Sequence, residues 1–600
     1  MKRRAFLFPI IFIIALAVPA FAAERKGDKY RATVEKVTSL IEKGMRKDGV
    51  VGLSVALVDD QKIIFSRGFG YADKKKKIPA TPDTGYRAGG IAKLFTAASA
   101  LLLAERGSMD LDAPITRYLP EFSIRSRFQG GVITTRNLMT HHSGLPTNYF
   151  KGMWCKAPER FDNMVLELRD EYASFPPDHV FSYSNLGYTL LGAAVERASG
   201  VPFEAFVKSN LFAPLGMHRS DFSSKASGLP TDSKGYKKED ETEMPALRDV
   251  PTAGLNTTTA DVSNFIRMIF ADGAFGGAEV LSPAILRAMV TPQNLNVPLD
   301  FSFKAGLGWI LSGLGDLDIK HAGPVAHIAG APILFHSMII ILPRHKLGVI
   351  VMANTSTARE LVDKAATEAI KLALEAKTGI KQPEPEEPPL ADAVDSEAAR
   401  RLDGEYATFA GLVRVTNNNG SLRTEFAGRK FKLVPRADGR TALRYRFMGF
   451  VPIPFGILNN VGLALTRVDG RDVLSAKLGT HEFPVGVKLG DPTPSEKWKG
   501  RAGDYEITNL GDDHQFFEKT FTLSEEHGRF HLSFEYAEAK GDAIKMLMEP
   551  APNSPDEGII AGLGFGTGET IRAVNIGGEE FLAYSGYRLK KRPPRRTFFR

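Results

Sequence analysis

Between Lys381 and Glu397 the chain reads "KQPEPEEPPLADAVDSE". Each proline there removes a backbone donor and its ring clashes with the preceding helical turn, so neither a helix nor a central strand can run through it. Together with its glutamates the stretch reads as an extended linker. It separates two regions of different texture, and a chain of 600 residues exceeds what one hydrophobic core serves. Upstream, helical and strand periods are mixed. Downstream, apolar and polar residues alternate and break at Asn-Gly, Ala-Gly and Asp-Gly turns.

In the upstream region, Val34, Val37, Leu40, Ile41 and Met45 recur at helical spacing over 31–47. Two strand-like runs follow, "VGLSVALVDD" and "KIIFSRGFGYAD", joined by turn residues at 59–61. Two more, "FHSMIIILP" and "LGVIVMANTS", come much later and lead into a helical pattern, "TARELVDKAATEAIKLALEA". The stretch from about 90 to 290 reads as helices and loops. This predicts an α+β domain over 23–380: an antiparallel sheet with strands from both ends of the region and a helical lobe inserted between them. Beyond the linker, two blocks at 398–490 and 495–590 each open on a Gly-x-Tyr, Gly404-Glu405-Tyr406 and Gly503-Asp504-Tyr505. Both read as small antiparallel β-barrels or sandwiches, an imperfect duplication.

The first 22 residues have a basic start, an apolar run and Ala20-Phe21-Ala22, which predicts a secretory signal cleaved after Ala22 and a secreted or periplasmic protein. Cys155, the single cysteine, cannot form an internal disulfide. Much of the formal charge of +8 is concentrated in "RLKKRPPRRTFFR" and in "DKKKKIP" at 73–79. The first, with a basic tail at 591–600, suggests peripheral contact with an anionic envelope. Neither run interleaves aromatics for base stacking, so nucleic acid is not an expected partner.

Seven segments then line up in order: "YADKKKKIPATPDTGYRAGGIAKLFTA", "LDAPITRYLPEF", "LMTHHSGLP", "FSYSNLGYTLLGAAVERASG", "LFAPLGMHRSDF", "TAGLNTTTADVSNFIRMI" and "PRHKLGVIVMANTS". With these, residues 30–378 resemble the β-lactamase and penicillin-binding-protein superfamily, in its branch of class C β-lactamases, D,D-peptidases and D-aminopeptidases. The resemblance implies a serine that attacks a carbonyl, a lysine one helical turn on, a Tyr-x-Asn motif whose tyrosine relays protons, and an oxyanion hole of two backbone N–H groups. It places Lys93 and Tyr183 as catalytic residues and Asn185 as substrate-binding. At the nucleophile position, three residues before Lys93, stands Gly90, which has no oxygen to acylate. No serine in the chain is followed three residues later by a lysine.

The strand motif, Lys/His-x-Gly in the family, has two competing placements here. His321-Ala322-Gly323 fits literally but puts Pro324, which lacks an N–H, at the oxyanion donor. His327 with Gly330 fits the spacing to the next strand better, with the histidine or the glycine out of register. The adjacent His141 and His142 do not converge on one ion, and no metal or cofactor is called for. "GLGFGTGET" at 562–570 lacks the lysine of a phosphate loop and reads as a series of β-turns.

The resemblance therefore implies a degenerate, non-acylating member that binds peptidoglycan-type or D-amino-acid peptide ligands. One alternative is hydrolysis of a small ester or amide by water activated at Lys93 and Tyr183. Another is an envelope scaffold that binds through its β-domains. On this reading Gly90→Ser should restore slow, partial acylation.

Overall fold

The structure, a computed structural model, describes residues 29–593 except 314, 385–387, 392–395, 427–428, 448–450, 453–459, 514–516 and 537–542. The leader read at 1–22, part of the linker and the end of the basic tail lie outside the described residues.

The first sheet is antiparallel. Its strands are β1 (Gly52–Asp59), β2 (Lys62–Asp73), β3 (Ile78–Pro79), β4 (Ala326–Gly330), β5 (His336–Leu342) and β6 (Leu347–Ala353), in the order β4-β5-β6-β1-β2-β3. The two ends of the region meet where Leu53 pairs with Ala353 and Asp59 with Leu347. Helices cover both faces, which is why "HSMIIIL" and "LGVIVMA" are buried throughout and show no alternation. On one face lie α1 (Arg31–Asp48) and the long helix Arg359–Thr378, burying Val37, Ile41, Leu361 and Ile370 against the sheet. On the other lies the helical lobe, with α2 (Ala92–Glu105), α3 (Thr135–Thr140), α4 (Asn185–Ser199), the short α5 (Val250–Ala253) and α6 (Thr259–Phe270). Phe95, Phe212 and Phe265 pack there as edge-to-face and tilted rings.

Both C-terminal units are closed eight-stranded antiparallel barrels rather than sandwiches. The first contains β7 (Gly404–Thr408), β8 (Gly411–Asn418), β9 (Ser421–Phe426), β10 (Arg429–Pro435) and β11 (Thr441–Phe447), and closes through pairing of β10 with β11. The second runs from Gly503–Ile507 to Tyr587–Lys591, which pair to close it. The duplication is written in matching details. Tyr406 donates to the carbonyl of Leu402 and Tyr505 to that of Arg501, each four residues back. Gly404 and Gly503 adopt φ of 139° and 144°, which a side chain disfavours. Lys488 and Lys591, near the closing ends, donate to the carbonyls of Arg401 and Gly500.

Part of the basic run near the C-terminus belongs to the barrel rather than to a tail. Lys590 and Lys591 lie on its closing strand, and Lys590 and Arg592 pair with Glu579 and Glu506.

Candidate active site

The chain enters α2 through a 3-10 turn, Gly89–Ile91. Lys93 follows one turn later and is 1% exposed. Its ammonium donates to Asn185 Oδ1 at 2.8 Å and to the Thr252 carbonyl at 3.2 Å. It lies over the rings of Tyr183 and Tyr188, 4.9 and 5.5 Å from their centroids. Ser184 caps α4: its Oγ accepts from Gly187 N–H at 2.9 Å and donates to the Pro146 carbonyl. That cap brings Asn185 into the first turn, where its Nδ2 donates to Asn148 Oδ1 at 2.9 Å. Lys93, Tyr183 and Asn185 thus converge, joined by Thr252, which opens the segment "TAGLNTTTADVSNFIRMI", and by Asn148, which lies outside all seven segments.

Three residues before Lys93 the site carries no side chain. Gly90 is fully buried, and a Cβ built on it would lie 2.4 Å from the carbonyl oxygen of Ala329 on β4. A Cβ on Gly330 would lie 2.0 Å from the Ala88 carbonyl, and one on Gly89 would lie 2.6 Å from the ring of Pro332. Three glycines therefore let β4 close directly onto the turn. Ser337 Oγ locks the contact by donating to the Ala88 carbonyl at 2.7 Å.

The edge of β4 is occupied as well. His327 N–H donates to the Ile310 carbonyl and Ile310 N–H returns the bond, at 2.9 and 3.0 Å. The His327 ring turns to the Ser312 carbonyl at 3.1 Å, and burial lowers its pKa. His321 lies elsewhere, in an exposed turn ahead of β4 at φ 61°, with Ala322 in the core on the other face of the sheet. The literal His-x-Gly at 321–323 is therefore not beside Gly90; the strand there carries His327, Ala329 and Gly330.

His141 and His142 point to different partners. His141, left-handed at φ 63°, accepts from Ser184 N–H on Nδ1 at 3.0 Å and stacks on Tyr183. Burial, with Lys93 nearby, holds its pKa well below the ordinary imidazole value. His142 pairs through Nε2 with Asp300 at 2.7 Å, both side chains 1% exposed.

The stretch 562–570 proves to be more than a turn series. It connects two strands of the second barrel and reaches across the cleft of the helical lobe. Ser182 Oγ donates to the Gly564 carbonyl, and Gly566 N–H to Thr147 Oγ1. Buried Glu569 accepts from Thr147 N–H at 3.0 Å and from Tyr584 O–H at 2.7 Å. Phe565 stays exposed at the rim, its ring 6.2 Å from that of Tyr183. Arg127 fastens the same barrel, donating to Glu557 at 2.6 Å and Thr570 at 2.7 Å.

Chemically, Lys93 is a committed donor with two acceptors, and the space before it is taken by a backbone oxygen. Among the described residues no hydrogen bond engages the Tyr183 hydroxyl.

A sequence model of the family described as Beta-lactamase matches residues 37–374. The chain is 23% identical over 330 residues to the protein flp of Staphylococcus aureus strain MRSA252, covering 54% of this chain and 63% of flp. It is 27% identical over 419 residues to penicillin-binding protein 4* of Bacillus subtilis strain 168, covering 65% of this chain and 87% of that protein. In fold it is similar to the octameric penicillin-binding protein homologue from Pyrococcus abyssi, with a TM-score of 0.50 at 22% identity, over 84% of this chain and 98% of that one. SurE has a TM-score of 0.53 at 23% identity, over 76% of this chain and all of that one. The family match spans more than half of the sequence and encloses Gly90, Lys93, Tyr183, Asn185 and β4, so the chain belongs to the β-lactamase family.

Proposed function

We propose that this protein is an exported, non-acylating member of its family that holds peptidoglycan-type or D-amino-acid peptide ligands reversibly instead of cleaving them. The observation that carries the reading is the Ala329 carbonyl oxygen, 2.4 Å from where a nucleophile's Cβ would stand. Serine chemistry needs an oxygen at that point, and here the backbone of β4 fills it. The same contact weighs against direct hydrolysis by an activated water, since Lys93 is 1% exposed and spends its protons on Asn185 and Thr252. What remains accessible is the rim: half-buried Tyr183 and Asn185, with exposed Phe565 opposite. A phenol, an amide and an aromatic ring suit a peptide with a polar terminus.

The test treats the mature chain with a fluorescent penicillin and a fluorophosphonate, read by intact mass, and titrates a peptide ending in two D-alanines by calorimetry. The reading expects no adduct and saturable binding that Tyr183→Ala weakens. An adduct mapping to residues 84–100 would overturn the non-acylating part, and absence of any binding the ligand part.

A further inference from the structure

We infer that the outer face of the first barrel is a docking surface for a linear phosphate polymer. The register of three adjacent strands carries the inference. Arg423 on β9 is paired with Lys432 on β10, and Lys432 with Arg444 on β11. Strands lie about 4.8 Å apart, so three cations stand in a row across the sheet over about 10 Å. Thr416 on β8, paired with Arg423, extends the row without a charge. The inner positions of the same strands, Leu422, Phe431 and Leu433, are buried, which fixes the row on the outside. Arg423 and Lys432 are exposed, and their side chains form no ion pair among the described residues; Arg444 is half-buried and already donates to the Leu443 carbonyl, so the two exposed cations carry the binding.

The row beside it reads Arg414, Glu425, Lys430. Its single carboxylate stands between two cations, and Arg414 is also paired with Glu405. Like charges placed directly opposite weaken a sheet, so folding alone does not favour this ladder. An anionic chain lying across the strands would reverse the sign of the interaction. The face is open and encloses no single small anion. Of its other outward residues Thr416, Asn418 and Ser421 are polar, and the apolar ones, Leu412 and Val434, are half-buried, so no exposed apolar side chain is there to insert into lipid. Two of the three cations are arginines, whose planar fork matches phosphate oxygens.

The probe is fluorescently labelled linear polyphosphate, followed by anisotropy against the mature full chain. Two phosphate contacts, by Arg423 and Lys432, predict that affinity falls about 7- to 12-fold between 50 and 200 mM salt. Arg423→Gln with Lys432→Gln should weaken binding at least about 10-fold at low salt and flatten the salt slope. Lys75→Gln with Lys77→Gln removes the same charge from the hairpin between β2 and β3 and should change nothing. Lys432→Glu places a carboxylate between two arginines; it should melt no lower than wild type and yet bind worst, which separates lost binding from lost folding. The inference fails if the wild type does not bind polyphosphate at 50 mM salt, or if the hairpin variant loses as much as the ladder variant. It fails equally if Lys432→Glu binds like wild type, or if anionic vesicles are bound and the polymer is not.

Discussion

Gly90→Ser puts back the one atom that serine chemistry demands, and the structure says how badly it fits. Gly90 itself has φ in the region any residue adopts; only space forbids a side chain. An added Cβ would meet the Ala329 oxygen at 2.4 Å, against 3.4 Å or more for an ordinary contact. Relief needs a shift of about 1 Å in one of two backbones, since no flexible side chain lies between them. Neither moves easily. β4 is held by five register pairs to β5 and by the exchanged bonds between His327 and Ile310, and the turn is held by Ser337. Overpacking of this kind costs about 1–3 kcal/mol, a melting drop on the order of 5 °C. With its Cβ pressed against the Ala329 carbonyl, the serine side chain would stand where β4 leaves no room for an incoming acyl group. Slow acylation, the expectation from sequence alone, therefore gives way to none. Thermal unfolding of Gly90→Ser and Gly90→Ala should show similar losses, and intact mass after exposure to penicillin should show neither labelled. Stoichiometric labelling of the serine variant at an unchanged melting temperature would refute the closed-site argument.

Lys93→Met keeps the bulk but takes the ammonium donor from the buried Thr252 carbonyl and leaves Asn185 Oδ1 with only Thr252 Oγ1, so urea unfolding should show a loss of about 1–3 kcal/mol. His141 is held neutral when folded, its pKa depressed below 6.5 by burial first and Lys93 second. The unfolded chain therefore takes that proton first, and stability is full above pH 6.5 and lost below it, by at most about 1.4 kcal/mol per pH unit. His141→Asn, which tolerates the left-handed backbone, should flatten the fall by about one proton in melts between pH 6.5 and 5; an unchanged slope counts against it. Burial raises the Glu569 pKa, so its contribution is greatest in acid and declines as pH rises through the raised value. Glu569→Gln should accordingly gain melting temperature relative to wild type at pH 8 and lose that gain at pH 4. Arg127→Ala removes the bonds to Glu557 and Thr570, and calorimetry should show the second barrel's transition moving to lower temperature by the equivalent of about 1–3 kcal/mol.

The sequence carries its local periods openly. β1, β2, β5 and β6 lie where apolar runs and turn residues put them, because each run is long enough to outweigh local ambiguity. What it hides is whatever depends on distant pairing. Alternation is the same in a sandwich and a barrel, and it takes the distant contacts of β7 with His481–Lys488 and of Gly503–Ile507 with Tyr587–Lys591 to close the two units. The histidine motif was split between 321 and 327 for the same reason: both strings are plausible, and the choice is made by which segment pairs with β5 beside the turn. Ala329 attracts no attention in sequence, since its backbone and not its side chain does the closing. Glycine density at 562–570 was a visible signal, but its meaning lies in close approach to the helical lobe, where a Cβ on Gly568 would stand 2.4 Å from the Ser174 carbonyl.

The convergence of Lys93, Tyr183 and Asn185 beside Gly90 then has a physical reading in packing alone. Lys93 links α2 to α4 through Asn185 and to α5 through Thr252, under the rings of Tyr183 and Tyr188. Removing it takes the ammonium donor from the buried Thr252 carbonyl and leaves Asn185 Oδ1 with only Thr252 Oγ1 at 3.3 Å, so the residue is held in place by the fold whether or not a proton is ever moved. Gly90 offers no such link: with no side chain at that position, β4 lies directly against the turn and is fastened there by Ser337. Lys93 thus serves the packing of α2 against α4 and α5, whereas position 90 serves the close approach of β4.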